Sequence, residues 1–492
     1  MNIEYRMIAL SERRASFARE KVPRAVLLLL LTLVSAVFVE ANESAAGGGE
    51  TASESRQVGV AANVPGDQPA MVSADGTPPT GRQAGLSLGK CIAIALENSP
   101  RTARKEWDVN AARAERDTAQ GRLWPEIRAI GGYSHFLEDK LISPRRPGSI
   151  DALGFTDDLL RGSVVLNMPL YTGGRLRNQV NAADFLARAA EQRLLHSREE
   201  LIFNVSSVFY SILGQREVIN ALAFSKKVME QHQRRTVELF KGKKAARVDS
   251  LRTEVRLADI EQQLLREENA LAIQCFLLAS LMGLDQSKQS PHIDGELRLV
   301  DAPVELGTGL GMALARRQDY RALISGVSAQ QEKLKVASAG RLPQISLMAS
   351  YGNQWALDRS DSNELGEIGV LVNIPLFEGG RIGAAMRREH SRLGAAQEAA
   401  RELELRIQLQ VKTASANVRS TLARINVTRK AVTQAAESLR IEREKYDLCK
   451  GAITDVLDAQ SALLTSQTNY YRALADYNIA LAQFCLATGS EQ

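Results

Sequence analysis

The sequence predicts a mainly α-helical chain with a small β part, in which one layout is used twice. Three observations carry this reading. First, Asn167-Met168-Pro169-Leu170-Tyr171-Thr172-Gly173-Gly174-Arg175-Leu176 recurs 206 positions later as Asn373-Ile374-Pro375-Leu376-Phe377-Glu378-Gly379-Gly380-Arg381-Ile382, and self-similarity at a fixed offset signals a repeated architecture. Second, the stretches from Leu176 to about Phe240 and from Ile382 to about Leu448 contain no proline and are dominated by Ala, Arg, Glu, Gln and Leu, most of them strong helix formers. Third, the interval ahead of each boundary alternates apolar and polar residues, the period of a strand with one apolar face.

Composition agrees. The 492 residues are 45% hydrophobic and 24% charged, which excludes wholesale disorder and a polytopic helical membrane protein. Aromatic residues make up only 5%, a level that helices packed through Ala and Leu tolerate better than a compact enzyme core does. Sixty-two basic side chains against fifty-seven acidic ones give +5, and the two signs interleave along the chain. That pattern describes solvated helix faces and no nucleic-acid surface.

Taken in order, the chain opens with a basic flank (Arg13, Arg14, Arg19, Lys21, Arg24), an apolar run from Ala25 to Val39, and a small-residue exit at Val39-Glu40-Ala41. The run is shorter than the roughly 20 residues a spanning helix needs, so residues 1–41 read as a secretory signal peptide. A retained signal anchor is the alternative, and Met7 is a second candidate start. No cysteine follows the run before Cys91, so a lipid anchor at the cleavage point has no acceptor. Residues 42–85 are Gly-rich with no Leu before Leu86, no Ile and no aromatic residue, and read as a disordered spacer.

Residues 86–283 form the first repeat, 284–305 a connector, and 306–489 the second repeat. The 206 offset also relates Asp249 to Asp455, Leu251 to Leu457 and Gly283 to Gly489, while an upstream offset of 218 relates Ala95-Leu96 to Ala313-Leu314. Extra chain in the first copy, with Ser143-Pro144-Arg145-Arg146-Pro147-Gly148 as an exposed loop, accounts for the difference. Each repeat reads as a helix, a hairpin-like interval, a very long helix, a tight turn and a last helix. In the second long helix Val411, Val418, Ile425, Val432, Leu439 and Tyr446 fall seven apart; in the first, Leu195, Ile202 and Phe209 do, as do Val205, Ile212 and Ile219. This is the coiled-coil period, and about 65 residues at 1.5 Å each give a rod of roughly 100 Å. The shorter helices, about Leu88 to Gly121 and Val248 to Met282, together match one long helix and would stack end to end beside it.

The turns at Lys241-Gly242-Lys243-Lys244 and at Cys449-Lys450-Gly451 are then the tips of two coiled-coil hairpins, either solvated basic clusters or docking tips for a partner. In the strand intervals Ile345, Leu347, Ala349, Tyr351 and Trp355 alternate with Ser346, Ser350, Gly352 and Gln354; Val370, Val372, Ile374 and Leu376 supply the partner face; the first copy uses Tyr133 and Phe136, then Val164, Leu166 and Met168. Strands of about ten residues suit an outer-membrane barrel, and a soluble hairpin fits the alternation alone as well. Four strands leave edges that a bilayer does not tolerate, so one chain cannot close a barrel and an oligomer can; a trimer would have twelve strands.

Together these features resemble the TolC family of outer membrane efflux proteins, over Leu86 to Gly489. The resemblance rests on the duplicated Asn-x-Pro-Leu-[Tyr/Phe]-x-Gly-Gly-Arg boundary (Pro169, Gly173, Gly174 and Arg175; Pro375, Gly379, Gly380 and Arg381). It rests also on Ala95-Leu96-Glu97-Asn98-Ser99-Pro100 and on Lys445-Tyr446 followed by Ile453-Thr454-Asp455-Val456-Leu457-Asp458-Ala459-Gln460. It implies a homotrimer with a twelve-stranded barrel in the outer membrane, continued by a helical tunnel into the periplasm. Such a trimer serves as the passive exit duct of a tripartite efflux pump or type I secretion system, with a periplasmic adaptor and an inner-membrane transporter as partners. It also implies a periplasmic gate at Asp455, Asp458, Tyr446 and Asp249. Asp455 and Asp458 share a helical face, either as a ring of carboxylates or as acids placed at a helix start. Two departures stand out: the family's basic gate residue aligns with Gly451 and its tip glycine with Cys449, leaving Arg247 and Arg252 as alternative bases. In the first copy Gly242 comes one residue early.

No enzyme is expected. His135, His196, His232, His292 and His390 are scattered without metal-ligand spacing, no nucleophile or phosphate-loop motif is present, and Gly173-Gly174 and Gly379-Gly380 read as helix-entry turns. No cofactor or metal is expected, and Cys91, Cys275, Cys449 and Cys485 read as small buried hydrophobes. The rival architecture, a periplasmic coiled-coil adaptor, would show one hairpin flanked by globular β domains.

Overall fold

In the computed structural model, chain order is α1 (Leu88–Asn98), α2 (Pro100–Gly121), β1 (Glu126–Leu141), β2 (Phe155–Tyr171), α3 (Arg175–Lys241), α4 (Arg247–Leu281), α5 (Gly309–Arg316), α6 (Gln318–Ser338), a 3-10 turn (Ala339–Arg341), β3 (Gln344–Ala356), β4 (Ser362–Asn373), α7 (Arg381–Asp447) and α8 (Ile453–Thr488). The described residues are 85–141, 155–243, 246–285, 292–300, 309–356, 362–448 and 450–490. The leader, the spacer up to residue 84, the Ser143 to Gly148 loop, Lys244 and Cys449 lie outside them.

Freedom from proline lets α3 and α7 each run for 67 residues without interruption, about 100 Å at 1.5 Å per residue. The other helices fill the lanes beside them. On one side α3 packs against α2 and α4, on the other against α6 and α8, and α7 packs against α6 and α8. Arg198 to Glu106 (2.8 Å) and Arg113 to Glu191 (2.7 Å) tie α3 to α2, while Lys226 to Glu261 (3.0 Å) ties α3 to α4. Thus α2 stands over α4, and α6 over α8, as the length argument expects.

The joints show why the stacking works. The stretch from Leu88 to Gly121 is two helices and not one, because Pro100 lacks an N–H and forces Ser99 out of helical geometry, to φ −68° and ψ 118°. In the second copy Arg317 takes the same extended conformation without a proline. Its buried guanidinium donates through Nε and Nη2 to Asp319 (3.0 and 2.7 Å), and through Nη1 to Gln410 (2.7 Å) and the Ala487 carbonyl (3.3 Å). Against each break sits the end of the helix below. Gly283 (φ +66°) lies so close that a Cβ would be 2.4 Å from the Asn98 carbonyl oxygen, and a Cβ on Gly489 (φ +66°) would make a tight but looser contact, 3.1 Å from Arg316 Cβ and 3.2 Å from the Arg317 amide nitrogen. The residues the 206 offset pairs are therefore the two glycines that let one helix end abut another.

Three apolar clusters run down the lanes. The lowest joins Val218, Leu222 and Met229 of α3, Ile260 of α4, Leu439 of α7 and Ile453, Val456 and Leu463 of α8. Two others sit at the joint level, one around Leu201, Phe209 and Ile212 with α1, the other around Ile407, Val418 and Tyr477 with α5, and Leu297 of the connector packs against both. The connector is strapped down: the Leu86 amide donates to His292 O (2.8 Å), and Tyr477 Oη to Val300 O (2.7 Å). Val411, Val418, Ile425 and Leu439 are buried as their spacing predicts; Leu195 is an exception at 43% exposed. A straight helix drifts about 20° per heptad, which turns a row buried at Phe209 outward two heptads earlier.

The four strands form one antiparallel sheet in the order β1-β2-β3-β4. Its register makes one face the more apolar, although Asn353 and Glu364 lie on it and Ile130, Val165, Met348, Leu365 and Leu371 lie on the other. Ile127, Val164, Tyr351 and Ile368 share one face with Leu166, Met168, Leu347, Val370 and Val372; Arg128, Ser163, Asn167, Gln354, Ser350 and Glu367 share the other. The strands are longer than ten residues, yet the regular pairing of β1 spans Glu126 to His135, ending at a register shift that interrupts the Tyr133 to Phe136 pattern. One expectation fails: Ile374 and Leu376 fall outside β4, which stops at Asn373, because Pro375 has no N–H to continue a ladder. Pro169, by contrast, stays within β2, opposite Ser346 and beyond the end of the β1 pairing.

These joints predict that Gly283→Ala costs at least about 2 kcal/mol, from its positive φ and the backbone collision. Gly326→Ala, in α6 with open space around it, should be neutral or mildly stabilising. Thermal unfolding of the two variants in detergent, followed by circular dichroism, checks the contrast.

Candidate functional site at the helical tips and the sheet-to-helix junctions

Both hairpins end in the same way. Asp249 and Asp455 are each the third residue of their helix, α4 and α8, where a carboxylate is favoured by the helix dipole. Asp249 is half-buried, Asp455 and Asp458 are exposed. Asp458 lines a groove between α8 and α4 with Leu251, Arg252, Val255 and Arg256. Arg256 also donates to Ser461 Oγ across it. Asp455, a turn earlier, does not line this groove. Of the two alternative bases, Arg252 lines the groove that Asp458 lines and Arg247 does not. Tyr446 packs against the lowest apolar cluster beside Ile453 and Val456.

The departures at the tips have physical explanations. Gly242 caps α3 with φ −77°, and the left-handed position falls on Lys243, φ +58°, the one non-glycine with positive φ among the described residues. The glycine is one residue early because a lysine carries the strain that glycine usually relieves. In the second copy the Lys450 amide donates to Lys445 O (2.8 Å), and a Cβ on Gly451 would lie 3.1 Å from Lys445 Cβ and 3.3 Å from Tyr446 N. No basic side chain fits there without a shift.

A polar network joins three helices just above the tips. Arg443 of α7 donates through Nη2 to Gln460 Oε1 of α8 (2.9 Å), and Gln460 Nε2 donates to Ser225 Oγ of α3 (3.2 Å). Arg235 of α3 pairs with Asp447 of α7 at 3.0 Å. Sequence reasoning gave these residues no role. The available signal was Gln460, a polar residue seven positions after buried Ile453, where the coiled-coil row asks for an apolar one. His232 lies in this network, and burial, reinforced by Arg443 and Arg235 and opposed by Asp447, holds its imidazole below the usual histidine range.

At the upper end the duplicated boundary forms two helix entries. Gly173 and Gly174 (φ +62°, +80°) and Gly379 and Gly380 (φ +58°, +79°) are all left-handed, which only glycine adopts readily. Arg381 turns back onto Glu378 through Nε (3.0 Å) and Nη2 (2.6 Å). Arg175 faces Thr172 at the corresponding place, and its Nε is buried without a hydrogen-bond partner.

This arrangement, two long rods flanked by short helices that abut at glycines beneath a two-faced sheet, is matched by known proteins. The family model for "Outer membrane efflux protein" matches residues 91–284 and 309–490. The chain belongs to the outer membrane efflux protein family. It is similar to outer membrane protein TolC of Vibrio cholerae, 21% identical over 412 residues, covering 82% of this chain and 91% of that one. Its fold matches the outer-membrane channel OprN, with a TM-score of 0.73 at 18% identity over 82% of this chain and 90% of that one. It also matches VceC of Vibrio cholerae, 0.71 at 21% identity over 82% and 96%. As a member of this outer-membrane family the chain is an exit duct for efflux or secretion and not an enzyme.

The His232 environment sets a pH dependence. A histidine whose folded pKa lies below its unfolded value of about 6.5 contributes stability above that value, and loses it as pH falls toward the folded one. Hydrogen exchange over residues 225–243 and 443–460 should therefore be faster at pH 5.5 than at pH 8, beyond the chemical exchange correction. His232→Gln should remove the difference.

Proposed function

We propose that three copies of this chain form a passive channel-tunnel. Twelve strands close a barrel in the outer membrane, and the helical lanes continue it as a tunnel into the periplasm. The supporting observation is the sheet: its apolar face is solvent-exposed, with Ile368 at 77% and Val370 at 59%, and β1 and β4 are edge strands. An isolated sheet of this kind is unstable in water and untenable in lipid, whereas a closed ring in a bilayer satisfies both the face and the edges. Exposed aromatics flank the apolar face at two levels. Tyr171 and Phe377 stand at the helix end, and Tyr133 and Trp355 in one row of the sheet about ten residues higher. At about 3.3 Å per residue that separation is roughly 30 Å, the thickness of a hydrocarbon core. No described helix is long and apolar enough to cross a membrane.

In this reading residues 1–41 direct export, 42–85 are a spacer, and 284–305 join repeats 86–283 and 306–489. The tips at Gly242, Lys243, Lys244, Cys449, Lys450 and Gly451 receive a periplasmic adaptor, and an inner-membrane transporter supplies the energy. Asp455 and Asp458 form rings of carboxylates at the periplasmic entrance, Tyr446 braces them from the tip cluster, Asp249 is the gate partner from the first copy, and Arg252 stands across the groove from Asp458. Carboxylates around a narrow opening attract cations.

The test is conductance of the purified protein in planar bilayers. The native channel should be blocked from the periplasmic side by multivalent cations such as hexamminecobalt, and the doubly substituted Asp455→Ala, Asp458→Ala channel should need at least tenfold more. Unchanged block counts against the rings, and the absence of any conductance counts against the duct.

A further inference from the structure

The duplication exposes an asymmetry at the junction of sheet and helices. A concavity of about 690 Å³ lies between the base of the sheet, the end of α2 and the start of α3. Arg128, Asn167, Gln344 and Asn373 enter it from the polar face of the sheet. Four charged side chains line it, and three are guanidinium groups: Arg122, Arg128 and Arg175, against Glu126 alone. Glu126 is engaged by Arg128 at 2.5 Å.

Two residues that line this cavity each hold one buried atom without a hydrogen-bond partner, Arg175 Nε and Gln179 Oε1. A buried guanidinium N–H left unpaired carries a desolvation cost, and groups of this kind mark sites for a missing acceptor. The Gln179 amide can reverse to offer its NH2. The second repeat shows that the fold does not require this arrangement. There the motif arginine, Arg381, is neutralised by Glu378, and Thr172 stands at the corresponding place in the first copy. Ala385 corresponds to Gln179, Gly340 to Arg122 and Ser346 to Arg128. Arg122, Arg128 and the loss of Glu378 make the first copy's cavity the more basic, although Glu126 stands there where the second copy has Gln344.

We propose that this cavity is an anion-binding subsite on the inner wall of the duct, taking the phosphate, carboxylate or sulfonate group of a transported substrate. Its position on the inner wall rests on the channel reading; the binding itself does not. Planar multi-oxygen groups suit the forked donors of arginine, and the start of the 67-residue α3 adds the positive end of a helix dipole. The entrance acids and this cavity would then act in series, the first selecting against free anions and the second holding the anionic end of a larger cargo before release.

Isothermal titration of the detergent-solubilised full chain with tripolyphosphate tests the site without requiring conductance. The native protein should bind saturably. Arg175→Gln should weaken binding at least tenfold, and Gln179→Ala, which installs the residue of the second copy and leaves the helix entry untouched, several-fold. Arg429→Gln, an exposed cation on α7 outside the cavity, should have no effect. Absence of saturable binding to the native protein overturns the proposal, as does native affinity in both cavity variants or equal loss in Arg429→Gln. Binding that behaves as expected in a protein that never conducts would retain the subsite and reject the duct.

Discussion

The rest of the structure depends on an edge that a single chain cannot satisfy. At the level of the sheet, β1 and β4 have partners on one side only. At the level of the rods, the outer lanes expose apolar side chains: Val255 and Leu265 of α4 at 64% and 67%, and Leu409 and Val427 of α7 at 66% and 67%. The same two flanks are open at both levels, because α2 leads into β1 and β4 leads into α7. A rotation that brings one flank against the other in a second copy pairs strand with strand and lane with lane together, a heterologous contact that closes into a ring. Three copies, the number that the family resemblance implies, would give such a ring twelve strands.

Within one chain, the device that makes a uniform wall from unequal helices is the abutting joint. A long helix needs a neighbour of equal length, and the chain supplies it from two pieces separated by more than a hundred residues. Gly283 and Gly489 permit the approach, and Pro100 and Arg317 hold the breaks open. The two copies reach the same break by different chemistry, a missing N–H in one and a buried guanidinium network in the other. Shared geometry with unshared chemistry is what an old duplication leaves where the wall must be the same and the surfaces need not be.

What was legible in the sequence was periodic. Freedom from proline and sevenfold apolar spacing placed α3 and α7 to within a residue or two, and alternation placed the apolar face of β3 correctly from Ile345 to Trp355. Misreadings fell where a local pattern gave way to a longer-range constraint. Leu195 lay on an apolar row that a straight helix rotates out of the core, and Ile374 lay on an alternation that Pro375 ends. The Arg443, Gln460 and Ser225 network was invisible because its members come from three helices and meet only after packing. Lys243 in a left-handed conformation was announced by the early glycine, and only the backbone shows that the lysine takes the strain.

Closure of the open flanks is the claim on which the barrel, the tunnel and the gate all stand. The direct measurement is native mass spectrometry of the detergent-extracted full chain. A single species at three times the mass of the mature chain is the expected result. A monomer, or an assembly of two or four copies, would contradict it.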